Sequence, residues 1–334
     1  MYSLFIPFLL CFQSTSAPED VGLFTKALWL FHATGEPNCT VVDNDSKIKT
    51  AVAKAIAKDR EISVNELDGL MTDSSFAKLA GKDGRISEAE ITKALDSMTP
   101  PSRLRLHDGL RKHAELLTTS FDMIEQDHRP AIQSLAKWIA NQSTTHESLH
   151  VIVTCTGNSR RSMMGASMGN LAAAYYGMEH VHFHSGGTSP TAFNRRTIAS
   201  LKEIGFQIEP TGQLAEPGDP QTPNPKYRVV WGKDSETVEF SKMYNDEGNP
   251  QSGFAAIMVC SEADQDCPVV KGASIRLAMP FIDPKLYDDG SLEGNKYRER
   301  RDDIGRTMMA IMAHASRNIE PKSDKAPPQV GQFN

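Results

Sequence analysis

The chain has 334 residues, enough for one large domain or for two domains of ordinary size. Its formal net charge of −6 is small and not clustered, which argues against a nucleic-acid-binding protein. No stretch reaches the roughly 18 consecutive apolar residues that a transmembrane helix requires, so we predict no membrane span.

Residues 1–17 have the composition of a secretory signal peptide. An apolar core of signal-peptide length is followed by small residues that end at Ala17. No lysine or arginine precedes this core, and Pro18 disfavours cleavage after Ala17. We therefore expect an exported, periplasmic protein if the segment is a signal peptide and a cytoplasmic protein otherwise.

Residues 18–145 are predicted to form an all-α domain. Apolar residues recur at three- and four-residue steps from Leu106 to Ile124, which predicts an amphipathic helix. A second helix is predicted from Pro130 to Ile139, with the proline near its start.

The helical half also contains two segments that partly match the sequence pattern of paired EF-hand loops. Gly84 has the position of the turn glycine and Glu90 that of the terminal carboxylate, and Glu66 repeats this carboxylate one loop earlier. Leu79 and Gly81 stand where the first two carboxylate ligands belong. We predict that the helix–loop–helix pair is retained and that calcium binding is lost.

The most informative motif in the chain follows a short apolar run, which predicts a buried strand. Its sequence is Val151-Ile-Val-Thr-Cys155-Thr-Gly157-Asn158-Ser159-Arg160-Arg161-Ser162, and a helix-compatible stretch begins at once. The N–H groups of a loop at a helix start bind anions, and arginine clamps two oxygens with its planar fork. We expect oxyanion binding by Gly157, Asn158, Ser159, Arg160 and Ser162 together with the Arg161 clamp. A positive field of this kind favours a cysteine thiolate, so Cys155 is the expected nucleophile.

Two further cysteines, Cys260 and Cys267, follow a second apolar run. Their spacing is too long for a zinc-binding pair or for a Cys-x-x-Cys redox motif. A rigid helix would separate them by about 10 Å at ~1.5 Å rise per residue, beyond disulfide reach. The segment must therefore bend if the two thiols are to react. We predict no metal and no cofactor.

The Cys155 loop resembles that of the low-molecular-weight protein tyrosine phosphatases and of the thioredoxin-coupled arsenate reductases that share their fold. The segment Phe183–Thr188 is similar to the second strand and turn of this family, and Asp283-Pro284 to the loop that carries its general acid. The resemblance covers about residues 148–317. It implies a three-layer α/β catalytic domain with a parallel sheet, and we expect a disordered tail over 318–334.

The spacing of Cys260 and Cys267 resembles the arsenate reductase branch of the family. That resemblance implies a thiol relay in which Cys155 attacks arsenate and Asp283 protonates the departing oxygen. Cys260 would attack the Cys155 sulfur, and Cys267 would resolve the resulting disulfide for a thioredoxin-like reductant.

Three functions remain open at this point. The first is arsenate reduction by the relay. The second is hydrolysis of a phosphate monoester, with phosphotyrosine as the expected substrate, by Cys155, Arg161 and Asp283 alone. The third is an oxyanion-sensing protein without turnover. The paired cysteines favour the first function, and the complete set of nucleophile, clamp and acid argues against the third. Lys285, where tyrosine phosphatases place an aromatic residue, weakens the second.

Overall fold

The computed structural model describes residues 23–24, 26–28, 41–67, 70–71, 73–145, 148–218, 221–266 and 269–319. The predicted signal peptide, Cys39, Cys267 and residues 320–334 lie outside the described residues. Within the described part of the chain, no helix is both long and apolar enough to cross a membrane.

Ten helices and nine strands of the described residues are used below. The helices are α1 (Val41–Asp59), α2 (Asp73–Leu79), α3 (Glu88–Met98), α4 (Pro101–Arg105), α5 (Asp108–Thr118), α6 (Arg129–Ser143), α7 (Arg161–Tyr175), α8 (Arg195–Glu203), α9 (Ser261–Asp266) and α10 (Glu293–Asn318). The strands are β1 (Ile62–Ser63), β2 (Arg85–Ile86), β3 (Leu149–Cys155), β4 (Val181–Gly187), β5 (Gln207–Ala215), β6 (Asn224–Gly232), β7 (Ser235–Glu239), β8 (Phe254–Met258) and β9 (Ala273–Ala278).

The C-terminal half is built on a four-stranded sheet with the order β4-β3-β8-β9, in which every pair of neighbours is parallel. All five residues of β8 are buried, as are the residues of β3 from Val151 to Cys155. Near-continuous apolar runs of this kind are typical of parallel strands that are covered on both faces. The predicted α/β class, with a parallel sheet in this half and a helical half before it, is confirmed.

Helix α7 is buried on all sides, which explains why it has no polar face. It packs against the sheet through two glycines. A Cβ on Gly165 would lie 2.6 Å from the Val153 side chain, and one on Gly169 would lie 2.4 Å from the Phe183 ring. On the opposite side, α7 contacts α10, where Gly305 approaches it closely. This packing fixes the start of α7 at the edge of the sheet.

A second sheet, which is antiparallel with the order β5-β6-β7, occupies residues 207–239. Residues 212–252, which are rich in proline and glycine, contain the strands β6 and β7. Proline and glycine residues inside β5 and β6, such as Pro210 and Pro225, hide the strands from sequence inspection. Tyr227, Trp231 and Tyr244 of this segment pack onto the main core, and the Tyr227 ring lies edge-on to Phe193 at 5.7 Å.

The main core also includes helices α5 and α6 of the helical half. Leu110, Leu117, Phe121 and Ile132 are buried in the same cluster as the strands of the parallel sheet. The amphipathic stripe from Leu106 to Ile124 forms a shorter helix than predicted, because α5 ends at Thr118. Three successive hydroxyl side chains bond carbonyls of the last turn there, which competes with helix continuation. The domain boundary between residues 145 and 148 stays a prediction.

The residues before Met98 have a smaller core of their own, which contains two loops of matching geometry. Ile62 and Ile86 pair across the short antiparallel strands β1 and β2. Two residues before each isoleucine, the backbone is left-handed, with a φ of 62° at Arg60 and 75° at Gly84. An arginine therefore adopts in the first loop the conformation that glycine provides in the second.

The terminal glutamates of these loops cap helices. Glu66 accepts hydrogen bonds from the N–H and the hydroxyl of Ser63, both at 2.8 Å, and Glu90 bonds both groups of Ser87 in the same way. Arg85 lies between the loops and pairs with acidic residues of the first loop, Asp59 at 2.6 Å and Glu61 at 2.7 Å. The carboxylates that a calcium ion would need in these loops therefore already accept hydrogen bonds or form ion pairs within the protein.

Candidate active site

Cys155 is the last residue of β3 and is 4% exposed. β3 lies between β4 and β8, so the segments that follow these parallel strands meet at one sheet edge. The Val259 N–H donates to the Thr154 carbonyl at 2.9 Å, and the Phe281 N–H donates to Val259 at 3.1 Å. The Cys155 loop, Cys260 and the Asp283 loop therefore lie side by side, at the edge where open α/β sheets bind ligands.

The Cys155 thiol contacts a hydroxyl from the first turn of α7. Its Sγ lies 3.1 Å from the Ser162 Oγ, and the Asn158 side-chain amide donates to the same oxygen at 2.9 Å. Because that oxygen accepts from Asn158, its own hydrogen is available to the cysteine sulfur. A hydroxyl donor at this distance stabilises a thiolate. Asn158 has a left-handed φ of 39°, a conformation that asparagine tolerates better than most residues.

Neighbouring segments brace the loop from outside. The Gly157 carbonyl accepts from the Ser241 hydroxyl at 3.0 Å and from the Thr191 N–H at 3.0 Å. The Ser159 hydroxyl donates to the Ala192 carbonyl at 2.6 Å. The free N–H groups of a helix's first turn have no intrahelical partner, so they remain suited to an anion.

A buried ion pair supports the back of the loop. The Lys242 N–H donates to the Asn158 side-chain oxygen at 2.8 Å. The Lys242 ammonium lies 3.4 Å from Glu239, whose carboxylate also accepts from the Ser185 hydroxyl at 2.8 Å. Sequence inspection missed Ser241 and Lys242, because they belong to no recognisable motif.

Arg161 begins α7 and is 7% exposed. One terminal nitrogen donates to the Phe281 carbonyl at 2.9 Å, and the other pairs with Asp283 at 2.7 Å. Its Nε is buried and has no hydrogen-bond partner among the described residues. An unpaired buried donor is costly, so this edge of the guanidinium is a ready position for an anionic oxygen.

Asp283 caps the short 3-10 turn Pro284–Tyr287 by accepting from the Lys285 N–H at 3.0 Å. Its other carboxylate oxygen is the one that binds Arg161. The acid loop is thus held against the Cys155 loop by the arginine that is expected to clamp the anion. An anion bound by Arg161 would compete with Asp283 for that guanidinium.

Cys260 follows β8 and is completely buried. Its Sγ lies 3.5 Å from the Thr156 hydroxyl, which belongs to the residue next to Cys155, and it accepts from the Ala263 N–H at 3.4 Å. Burial raises the pKa of the Cys260 thiol, while the bonds from Thr156 and Ala263 and the charge of Arg161 oppose this shift. Cys267 lies outside the described residues.

The Arg160 guanidinium points to α10 and the acid loop. Its Nε donates to the Tyr297 hydroxyl at 2.7 Å, and a terminal nitrogen pairs with Asp288 at 3.0 Å. The expected contribution of Arg160 to oxyanion binding is therefore left to its backbone N–H. Tyr297 and Asp288 lie more than 120 positions from Arg160 in the sequence, and no sequence motif predicts their contact with this loop.

A separate cavity of about 410 Å³ lies at the edge strand β4, and none of the residues from Cys155 to Ser162 lines it. Three histidines from β3 and β4 face it, and the Nδ1 of His150 lies 3.0 Å from the Nε2 of His184. Burial is the main cause that lowers the pKa of His184 to about 3. Among the described residues, no three histidine, cysteine or acidic side chains are arranged to hold a metal ion.

Comparison with known proteins agrees with this geometry. Residues 150–221 match the family described as low molecular weight phosphotyrosine protein phosphatase. The matched segment contains the Cys155 loop, α7 and β4. No curated protein matches the chain. In this segment, the domain built around Cys155 is similar to the low molecular weight phosphotyrosine phosphatase superfamily.

Proposed function

We propose that the protein is an arsenate reductase that draws two electrons per cycle from the thiols of Cys155, Cys260 and Cys267. The observation that carries the proposal is the position of Cys260, whose thiol contacts the residue next to the expected nucleophile. A phosphatase of this superfamily needs no second thiol at that place. A thioredoxin-like dithiol is the reductant that such a relay requires.

The first chemical step forms a bond between sulfur and arsenic. The Cys155 thiolate attacks arsenate, which is held by the loop N–H groups and by Arg161. A hydroxyl group of the monoprotonated arsenate leaves as water after it receives a proton from Asp283. For this step Asp283 must be protonated and no longer paired with Arg161, which the arriving anion favours because it binds the same guanidinium.

The next steps transfer the electrons. The Cys260 thiolate attacks the Cys155 sulfur, and the electron pair of the sulfur–arsenic bond passes to arsenic, which leaves as arsenite. The Cys267 thiolate then attacks the Cys260 sulfur and releases Cys155 as a thiolate. Because Cys260 is completely buried, an external dithiol has no access to it, and α9 must move for Cys267 to carry the disulfide outward.

The main alternative is hydrolysis of a phosphate monoester through a phospho-cysteine, for which Cys155, Arg161 and Asp283 suffice. The family match, which is described by phosphotyrosine phosphatase activity, favours this alternative. The two functions differ in their need for Cys260 and Cys267, and this difference can be tested directly.

The test compares arsenite formation in the presence of thioredoxin and its reductase with hydrolysis of p-nitrophenyl phosphate. We expect Cys260→Ser and Cys267→Ser to abolish arsenate turnover and to retain any hydrolysis. Cys267→Ser should stop after about one cycle with a Cys155–Cys260 disulfide that mass spectrometry detects. Cys155→Ser should abolish both activities, and Cys39→Ser is the matched control outside the relay.

The proposal fails if the wild-type chain reduces no arsenate while both relay variants hydrolyse the phosphate ester at the wild-type rate. The phosphatase alternative would then stand. Since burial raises the pKa of Cys260, formation of the Cys155–Cys260 disulfide in a single turnover should accelerate with pH beyond the range of an ordinary thiol. A rate of disulfide formation that is flat above neutral pH would contradict attack by Cys260.

A further inference from the structure

Arg160 and Arg161 hold the two ends of one short element. Asp283 precedes the 3-10 turn Pro284–Tyr287 and Asp288 follows it. Arg161 pairs with the first of these aspartates at 2.7 Å, and Arg160 pairs with the second at 3.0 Å. Two consecutive arginines of the active loop therefore form ion pairs with both ends of the turn that carries the expected acid.

The second attachment is a triangle of hydrogen bonds among Arg160, Asp288 and Tyr297, and Arg196 is a further ion-pair partner of Asp288 at 3.6 Å. The Arg160 Nε donates to the Tyr297 hydroxyl at 2.7 Å, and this hydroxyl donates to Asp288 at 2.8 Å. Asp288 completes the triangle through its other oxygen, which accepts from Arg160. The side chains of Arg160 and Asp288 are only 16% and 17% exposed, so the pair is better shielded from solvent than an ordinary surface ion pair.

Tyr297 must remain protonated to accept from Arg160 and donate to Asp288 at once. Burial raises the pKa of Tyr297 to about 12, so the phenol is neutral at any working pH. α10 presents Tyr297 at this place, with the ring almost completely buried. The triangle therefore connects the active loop to a long helix of the core.

The Arg161–Asp283 ion pair and the Arg160–Asp288–Tyr297 triangle behave differently during turnover. Arg161 must bind the oxyanion, and Asp283 must carry a proton, so their ion pair cannot persist when substrate is bound. The Arg160–Asp288–Tyr297 triangle contacts neither the thiol nor the Nε of Arg161, and nothing in the chemistry breaks it. The triangle therefore still connects the Asp283 turn to the active loop when Arg161 binds the substrate.

We propose that Arg160, Asp288 and Tyr297 are positioning residues that keep the Asp283 turn at the active loop while Arg161 binds the oxyanion. The proposal rests on the proposed roles of Cys155, Arg161 and Asp283, and it holds for arsenate reduction and for phosphate ester hydrolysis alike. It assigns the Arg160 side chain to placement of the acid.

The test uses the dependence of kcat/KM on the leaving group. Phenyl phosphate has a poor leaving group that needs a proton from the acid, whereas p-nitrophenyl phosphate has a good one. We expect Arg160→Gln and Asp288→Asn to lower kcat/KM for phenyl phosphate about tenfold or more, a part of the 10²–10⁴-fold that general acids supply. The loss for p-nitrophenyl phosphate should be less than about threefold, and the inhibition constant of inorganic phosphate should not change.

Two further variants separate positioning from folding. Tyr297→Phe removes one hydroxyl, and we expect it to shift the leaving-group dependence in the same direction but less strongly. Arg160→Lys retains the charge opposite Asp288 and should restore part of the lost rate. Arg298→Gln is the matched control, because Arg298 lies on the same helix and pairs with Glu203 outside the site. Thermal unfolding of each variant is measured beside its kinetics.

The proposal is overturned if Arg160→Gln lowers kcat/KM equally for both esters or weakens inhibition by phosphate, since the Arg160 side chain would then bind the anion. It is also overturned if Tyr297→Phe and Asp288→Asn, folded as judged by unchanged unfolding temperature, show wild-type leaving-group dependence. A wild-type chain that turns over neither these esters nor arsenate refutes the proposed function itself, and the positioning role with it.

Discussion

Acidification should destabilise the fold through His184. This imidazole lies in the cavity beside β4, where burial first and then the neighbouring His150, Lys242 and His182 lower its pKa to about 3. An unfolded chain gives histidine a pKa of about 6.5. Below that value the unfolded state binds a proton that the folded state refuses, so stability falls as the pH drops from 6.5 towards 3.

The size of the effect follows from the two pKa values. Each pH unit inside the window removes about 1.4 kcal/mol of unfolding free energy, so the loss between pH 8 and pH 5 is about 2 kcal/mol. The whole shift corresponds to a loss on the order of 5 kcal/mol by pH 3. Losses of this size are a large fraction of the stability of an ordinary domain.

Urea unfolding at pH 8 and pH 5, followed by tryptophan fluorescence, measures the loss. His184→Gln keeps a hydrogen-bonding side chain near His150 but cannot be protonated, so we expect it to lose about 2 kcal/mol less than the wild type over this interval. His107→Gln is the matched histidine control, because His107 does not line this cavity. Equal losses in the wild type and His184→Gln would refute the reasoning.

Three further results are expected. Arg161→Lys keeps the charge but loses the fork, so kcat/KM should fall by about two to three orders of magnitude, and a wild-type rate would show that charge alone suffices. Calorimetry on the full chain should detect no micromolar calcium binding, because Leu79 and Gly81 lack the side-chain oxygens of the first ligand positions. Gly169→Ala should lower the unfolding free energy by about 1–3 kcal/mol, since its Cβ would lie 2.4 Å from the Phe183 ring, and thermal unfolding checks this.

Prediction from the sequence was most successful where neighbouring segments of the chain all indicate the same local structure. An apolar run that ends in Cys155, a polar loop and the start of a helix together predict one local structure and one kind of ligand. The parallel sheet followed from these runs and from the family resemblance. The roles expected of Cys260 and Asp283 followed from the family resemblance, and the structure places both residues at the edge where the parallel strands end.

Sequence reasoning failed where partners are distant or patterns weak. The strands β5 and β6 contain prolines, and β5 is exposed over most of its length, so no alternation of buried and exposed residues marks it. The position of the Arg160 side chain depends on Tyr297, and their contact exists only because α10 passes the active loop. Tertiary packing decides such contacts, and single-sequence patterns carry no signal for them.

The sharing of one core between α5, α6 and the parallel sheet constrains how the protein could have acquired its helical extension. A chain cut just before β3 would expose the apolar faces of these helices on one fragment and of the sheet on the other. A gene fusion at that point would have joined two pieces with unfinished surfaces. The segment before Pro100 has a separate core, so a cut at that point would expose less apolar surface than a cut before β3.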